Sequence, residues 1–196
     1  MIELPLYTVP TYDPHALAEN RRSDFTRRIP TGLSKKQMAR DAKIAQQIIR
    51  ACELGTDDGG EEKLLDIFFR KAKLLSNPRY WELMRTVWIA AGSTETAQLF
   101  RMMMKSSRPC RSWFMTPEDA KALDKMTFPL TVWRAYDPYY DTVAGGDPGI
   151  SWTIDRTWCE DYAAIKNRKI KERQVWRGDI FAYISRRGES EIIILD

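Results

Sequence analysis

The chain predicts an α+β fold, with helices gathered in its first part and strands in its last. Three observations carry that expectation. Between Ser34 and Lys105, apolar residues recur at three- and four-residue steps, in successive runs broken by turn residues. After Phe128 the pattern changes to short segments rich in Val, Ile, Trp and Tyr. Gly, Pro, Asn and Asp gather between those segments, where tight turns need them.

In chain order, residues 1–33 are rich in proline and arginine and show little periodicity, which predicts an irregular arm. His15, the sole histidine, lies there with no partner in its surroundings and reads as an ordinary loop residue. The first helix starts after Ser34 as N-cap and carries Met38, Ala42, Ala45, Ile49 and Cys52 on one stripe, with Gly55 just beyond its end. A second helix opens near Glu61-Glu62, places Leu65, Phe68, Ala72 and Leu75 on one side, and stops at Ser76-Asn77-Pro78. A third runs from about Arg79 to Ala91 with Trp81, Met84, Trp88 and Ala91 on its stripe, and a fourth from Thr94 to about Lys105. Trp81, Trp88, Met102, Met103 and Met104 stand at helical spacing and read as core, because an amphipathic helix must bury that face. Thr116-Pro117-Glu118-Asp119 has the cap, the first-turn proline and the early acids of a short helix ending near Lys125.

The β-rich part follows. Strands are expected around Thr131–Tyr136, Gly149–Thr153, Gln174–Trp176, Phe181–Ile184 and Glu189–Leu195. The stretch from Asp137 to Pro148 reads as a loop whose Tyr139 and Tyr140 are placed to meet a ligand. Asp155 is the N-cap of a helix reaching about Lys166, with Trp158 and Tyr162 one turn apart on one face. The expected organisation is a mainly helical region over 1–127, within the same globule or beside it, and a β-rich core over 128–196.

Composition describes a soluble globular chain: 196 residues, 43% hydrophobic, 30% charged, net charge +4. No apolar run is long enough to span a bilayer, and the N-terminus lacks the basic and apolar regions of a secretory signal. Cys52, Cys110 and Cys159 are far apart and lack metal-ligand spacing, so a reducing, cytoplasmic setting without zinc or membrane is expected. Basic residues cluster at Arg21-Arg22, Arg27-Arg28, Lys35-Lys36 and Lys166–Arg173. Such clusters are either solvated faces or surfaces for an acidic partner, and the last is expected close to the candidate cleft.

Three strand-like segments each carry a polar anchor: Arg134 after Val132-Trp133, Ser151 after Gly149-Ile150, and Glu189 with Glu191 before Ile192–Leu195. Two-residue alternation puts Glu189 and Glu191 on the same side of an extended chain. If the strands are neighbours, an arginine, a serine and two carboxylates converge.

This ordered set, with Trp133-Arg134-Ala135, Ser151-Trp152-Thr153 and Glu189-Ser190-Glu191, resembles the Arg-Ser-Glu class of mono-ADP-ribosyltransferases, especially small bacterial and phage members. Ala135 departs from the glycine common at that position. The resemblance covers roughly residues 128–196 and implies a small ADP-ribosyltransferase-like split β-sheet core with the helical half packed on it. It implies NAD as substrate, cleaved between nicotinamide and ribose with oxocarbenium character at the ribose carbon, as in glycoside hydrolysis. By the same resemblance, Glu191 stabilises that charge through a ribose hydroxyl, and Glu189 orients or deprotonates the attacking group. Arg134 takes the pyrophosphate or ribose side, Ser151 and Thr153 belong to the cofactor-binding strand, and Trp158 or Tyr162 stacks on nicotinamide. The acceptor is a macromolecule, either a protein side chain or an RNA or DNA base. Such a transferase would be a toxin, a phage-defence effector or a phage protein, with a neutralising antitoxin-like protein as a further expected partner. NAD hydrolysis without an acceptor, and a non-catalytic basic interaction module, are the alternatives.

Overall fold

A computed structural model of the chain describes residues 32–53, 60–91, 96–139, 149–185 and 190–195. The architecture is α+β. Six α-helices are described: α1 (Lys35–Glu53), α2 (Gly60–Ala72), α3 (Asn77–Ala91), α4 (Ala97–Met104), α5 (Pro117–Asp124) and α6 (Arg156–Ile165). The strands are β1 (Leu130–Tyr136), β2 (Ser151–Thr153), β3 (Lys169–Val175), β4 (Ile180–Ile184) and β5 (Glu191–Ile194). Among the described residues they form one antiparallel sheet in the order β3-β1-β2-β5-β4.

The caps expected from sequence form. The Gln37 N–H donates to Ser34 Oγ at 3.2 Å, Asp119 N–H to Thr116 Oγ1 at 3.0 Å, and Trp158 N–H to Asp155 Oδ1 at 3.0 Å. Each satisfies a backbone donor that the first turn of its helix leaves unpaired. Pro78 falls in the first turn of α3, which begins at Asn77 rather than at Arg79; there its missing N–H costs nothing.

The buried stripe of α1 is not the one its apolar residues suggest. It consists of Asp41, Ile44, Ala45, Ile48 and Ala51, whereas Met38 and Ala42 are exposed and Ile49 and Cys52 half-buried. A polar residue sets the rotation. The Asp41 carboxylate accepts from Ser76 N–H at 3.1 Å, from Ser76 Oγ–H at 2.5 Å and from Gln37 Nε2 at 2.7 Å, so α1 is pinned to the start of α3. On α4 the buried side chains are Ala97, Phe100 and Met104, while Met102 points into solvent.

Helix α3 is the centre of the molecule. Trp81, Leu83, Met84 and Val87 are completely buried, which is how a helix with neighbours on most sides reads. One apolar cluster joins α1, α2, α3 and α4 to Ile150, just before β2, and to Phe181, Ala182, Ile184 and Ile193 of the sheet, with the Trp81 and Phe181 rings 6.1 Å apart. The helical part and the sheet therefore share a core. A second cluster places Leu123 of α5 against Val132, Trp152, Val175, Ile192 and Ile194. A third sets Cys159 and Ala163 of α6 on Ala135, with Trp133 and Tyr162 at its margin.

Strand β3 corrects the expectation for the basic segment. It runs over Lys169–Val175, not Gln174–Trp176, and pairs with β1 along its whole length. Lys, Arg and Glu are weak strand formers, so pairing with β1 overrides composition there. Trp176 lies beyond the strand and is exposed.

Candidate functional site

The three strands that carry the candidate residues are adjacent. β1 pairs with β2 and β2 with β5, and Trp133, Thr153 and Glu191 stand opposite one another in a single row. Residues in such a row share a sheet face, and Ser151, two residues from Thr153 on β2, shares it too. Glu191 and Ser151 are thus diagonal neighbours. The Ser151 hydroxyl donates to Glu191 Oε1 at 2.6 Å, a length typical of a hydroxyl bonded to a carboxylate.

The same oxygen receives a second donor, from the helical half. The Trp88 indole Nε1–H reaches Glu191 Oε1 at 3.1 Å, and its ring meets Phe100 edge to face at 4.9 Å. Sequence periodicity places Trp88 in the core, where it is, but does not reveal this role. The signal was present in the residue type, since a buried tryptophan needs a partner for its N–H.

Thr153 is buried, and its Oγ1 accepts from the Asp155 N–H at 3.0 Å. That bond shapes the turn from β2 into α6. The Asp155 cap then starts the helix that carries Trp158 and Tyr162. These two rings lie on one face, as their spacing predicts, and stack on each other at 5.3 Å with 6° between planes. The Arg168 guanidinium lies over the Tyr162 ring at 5.4 Å. Tyr162 is thereby engaged by two neighbours, and both rings of the stack are half-buried.

Arg134 is buried. It stands opposite Lys171 on β3, one residue from the Trp133 row, so its side chain leaves β1 on the face opposite to Glu191. Its guanidinium fills the space that a side chain at Gly149 would occupy; a Cβ there would overlap it outright. Gly149, two residues before Ser151, is thus the close-approach position that brings Arg134 to the end of β2.

Helix α3 holds the β4–β5 hairpin at a second point, one turn before Trp88. Arg85 pairs with Asp119 of α5 at 2.8 Å, and both side chains are buried. Asp119 Oδ1 also accepts from Ser185 N–H at 3.1 Å and Ser185 Oγ–H at 2.6 Å, at the end of β4. Burial alone would raise the Asp119 carboxyl. Its hydrogen bonds from Ser185 and the Arg85 charge outweigh burial and hold it below the ordinary carboxylate value. From sequence, Asp119 was legible only as an acid in a helix's first turn.

Cys159 is a poor nucleophile, because burial, aided by the Glu160 charge, pushes its thiol up. Among the described residues no group of three His, Cys, Asp or Glu side chains is placed to hold a metal ion, and no helix is long and apolar enough to cross a membrane. Glu189, His15, Tyr140 and the Arg21-Arg22 and Arg27-Arg28 clusters lie outside the described residues. Tyr139 is exposed, and its N–H donates to Asp137 Oδ1 at 2.9 Å. Lys35 and Lys36 are exposed on α1.

Comparison of the chain with protein-family models, with curated proteins and with solved structures gives no match.

Proposed function

We propose that the chain is an NAD-dependent mono-ADP-ribosyltransferase, built on an ADP-ribosyltransferase-like core, that moves ADP-ribose to a macromolecular acceptor and releases nicotinamide. The observation that carries this reading is the Ser151–Glu191 hydrogen bond on adjacent strands, beside a strand bearing a buried arginine. A carboxylate held by hydrogen bonds keeps its orientation, which suits it to a ribose hydroxyl next to a developing positive charge. In the reaction the bond between ribose and nicotinamide breaks and its electron pair leaves with nicotinamide. The ribose carbon takes up the acceptor's lone pair, and the acceptor loses a proton.

Glu191 stabilises the cationic ribose, while Ser151 and Trp88 fix its carboxylate. Glu189 is assigned the acceptor's proton. Arg134 suits the pyrophosphate, since its charge is permanent and its planar fork matches phosphate oxygens. Trp158 is assigned the planar base in preference to Tyr162, whose ring already meets both Trp158 and the Arg168 guanidinium. The test is incubation with adenine-labelled NAD in a cell extract, followed by separate protease and nuclease digestion. The reading expects label on a macromolecule with wild-type protein and none with Glu191→Gln. Free nicotinamide without transferred label would make the protein a hydrolase, and the absence of both signals would refute the enzyme reading.

A further inference from the structure

The β1–β3 pairing sorts the charges of the basic segment. Lys169 stands opposite Tyr136, Lys171 opposite Arg134 and Arg173 opposite Val132. Alternate residues of a strand share a face, so the three cations of β3 rise from the same face as Arg134. Glu172, the one acid of the strand, points the other way, where its carboxylate accepts from Trp133 Nε1 at 3.1 Å. A segment of mixed charge in the sequence thus becomes a row of one sign.

Aromatic rings hold that row in place. Lys171 Nζ lies 4.9 Å from the centre of the Tyr136 ring and 5.5 Å from that of Trp152, and the Arg173 guanidinium 5.2 Å from Trp152. Cations placed over ring faces are attracted by the ring quadrupole, so these side chains lose less freedom when an anion arrives. Consecutive cations on a strand face are roughly 6.6 Å apart, twice the rise per residue, a spacing close to that of neighbouring phosphates in an extended single strand. β3 ends the order of strands in the sheet, so a chain running beside it meets no further strand among the described residues. Lys171 and Arg173 are half-buried while Lys169 is exposed, so an extended strand can follow the row inward where a flat membrane would touch only its outer end.

We propose that this β3 face binds the phosphodiester backbone of single-stranded nucleic acid. That the bound strand is also the acceptor for ADP-ribose rests on the transferase reading; the binding itself does not.

The test is fluorescence anisotropy of the full chain with a labelled single-stranded RNA, titrated over a series of salt concentrations. Affinity is expected to fall with salt, and each of Lys169→Gln, Lys171→Gln and Arg173→Gln is expected to reduce the log–log salt slope by about 0.7. Lys169→Gln changes an exposed side chain and guards against loss of folding, and Lys35→Gln with Lys36→Gln on α1 should leave the slope unchanged. RNA binding by a wild-type protein that does not consume NAD would remove the acceptor role and leave the surface standing. Absence of salt-dependent binding, a slope unmoved by the β3 variants, or binding to phosphatidylserine vesicles in place of RNA would each overturn the proposal.

Discussion

Trp88→Phe removes one hydrogen bond from Glu191 and leaves an aromatic ring in the core. A bond to a charged acceptor contributes about 1.5–3 kcal/mol, and because Glu191 is only half-buried, water partly replaces the lost donor. A coupling of roughly 1–2 kcal/mol between Trp88 and Glu191 is therefore expected. The single variant will cost more than that, since Trp88 is 6% exposed and a phenyl ring leaves part of its volume empty. A double-mutant cycle with Glu191→Ala removes the packing contribution and keeps the pairwise one. The assay is urea unfolding of wild type, both single variants and the double variant at neutral pH. A coupling no larger than about 0.3 kcal/mol, the usual scatter for independent sites, would show that the indole N–H does not hold the carboxylate.

Three further outcomes follow from the geometry. Gly149→Ala should displace the Arg134 guanidinium and reduce NAD consumption about as far as Arg134→Ala does; retained activity would separate Arg134 from the reaction. Asp119 has its carboxyl lowered in the folded state, so the stability it contributes is present above its ordinary value of 3.8 and is lost as pH falls below it. Asp119→Asn should destabilise the protein at neutral pH by about 1.5–3 kcal/mol, the worth of a hydrogen bond to a charged group, because it removes the charge paired with buried Arg85, and should flatten the acid limb of a plot of urea midpoint against pH. Trp158→Ala should raise KM for NAD more than Tyr162→Ala does, measured by nicotinamide release.

The helices were legible because burial of one face imposes a period that survives in the sequence, and their caps were legible because Ser34, Thr116 and Asp155 have few other reasons to precede such runs. What composition hid was polar. Asp41 rotates the buried face of α1 through its bonds to Ser76, a residue far along the chain, and no apolar period reports that. Strand β3 was masked by its own charges, which make sense only once β1 lies beside it. The convergence of Ser151 and Glu191 followed from order and alternation once the strands proved to be neighbours. Alternation also put Arg134 on the opposite face, and only the backbone at Gly149 shows how its guanidinium reaches the end of β2. Periodicity could not mark Trp88 as a site residue, since a core tryptophan and one that bonds a carboxylate occupy the same helical stripe.

The most direct test of the central claim is nicotinamide release from NAD by purified wild-type protein and by Glu191→Gln, with urea unfolding of both as the control for folding. The transferase account expects release by the wild type and its loss in a variant of similar stability. Equal release by a folded Glu191→Gln protein, or none by the wild type even with RNA and protein acceptors supplied, would contradict it.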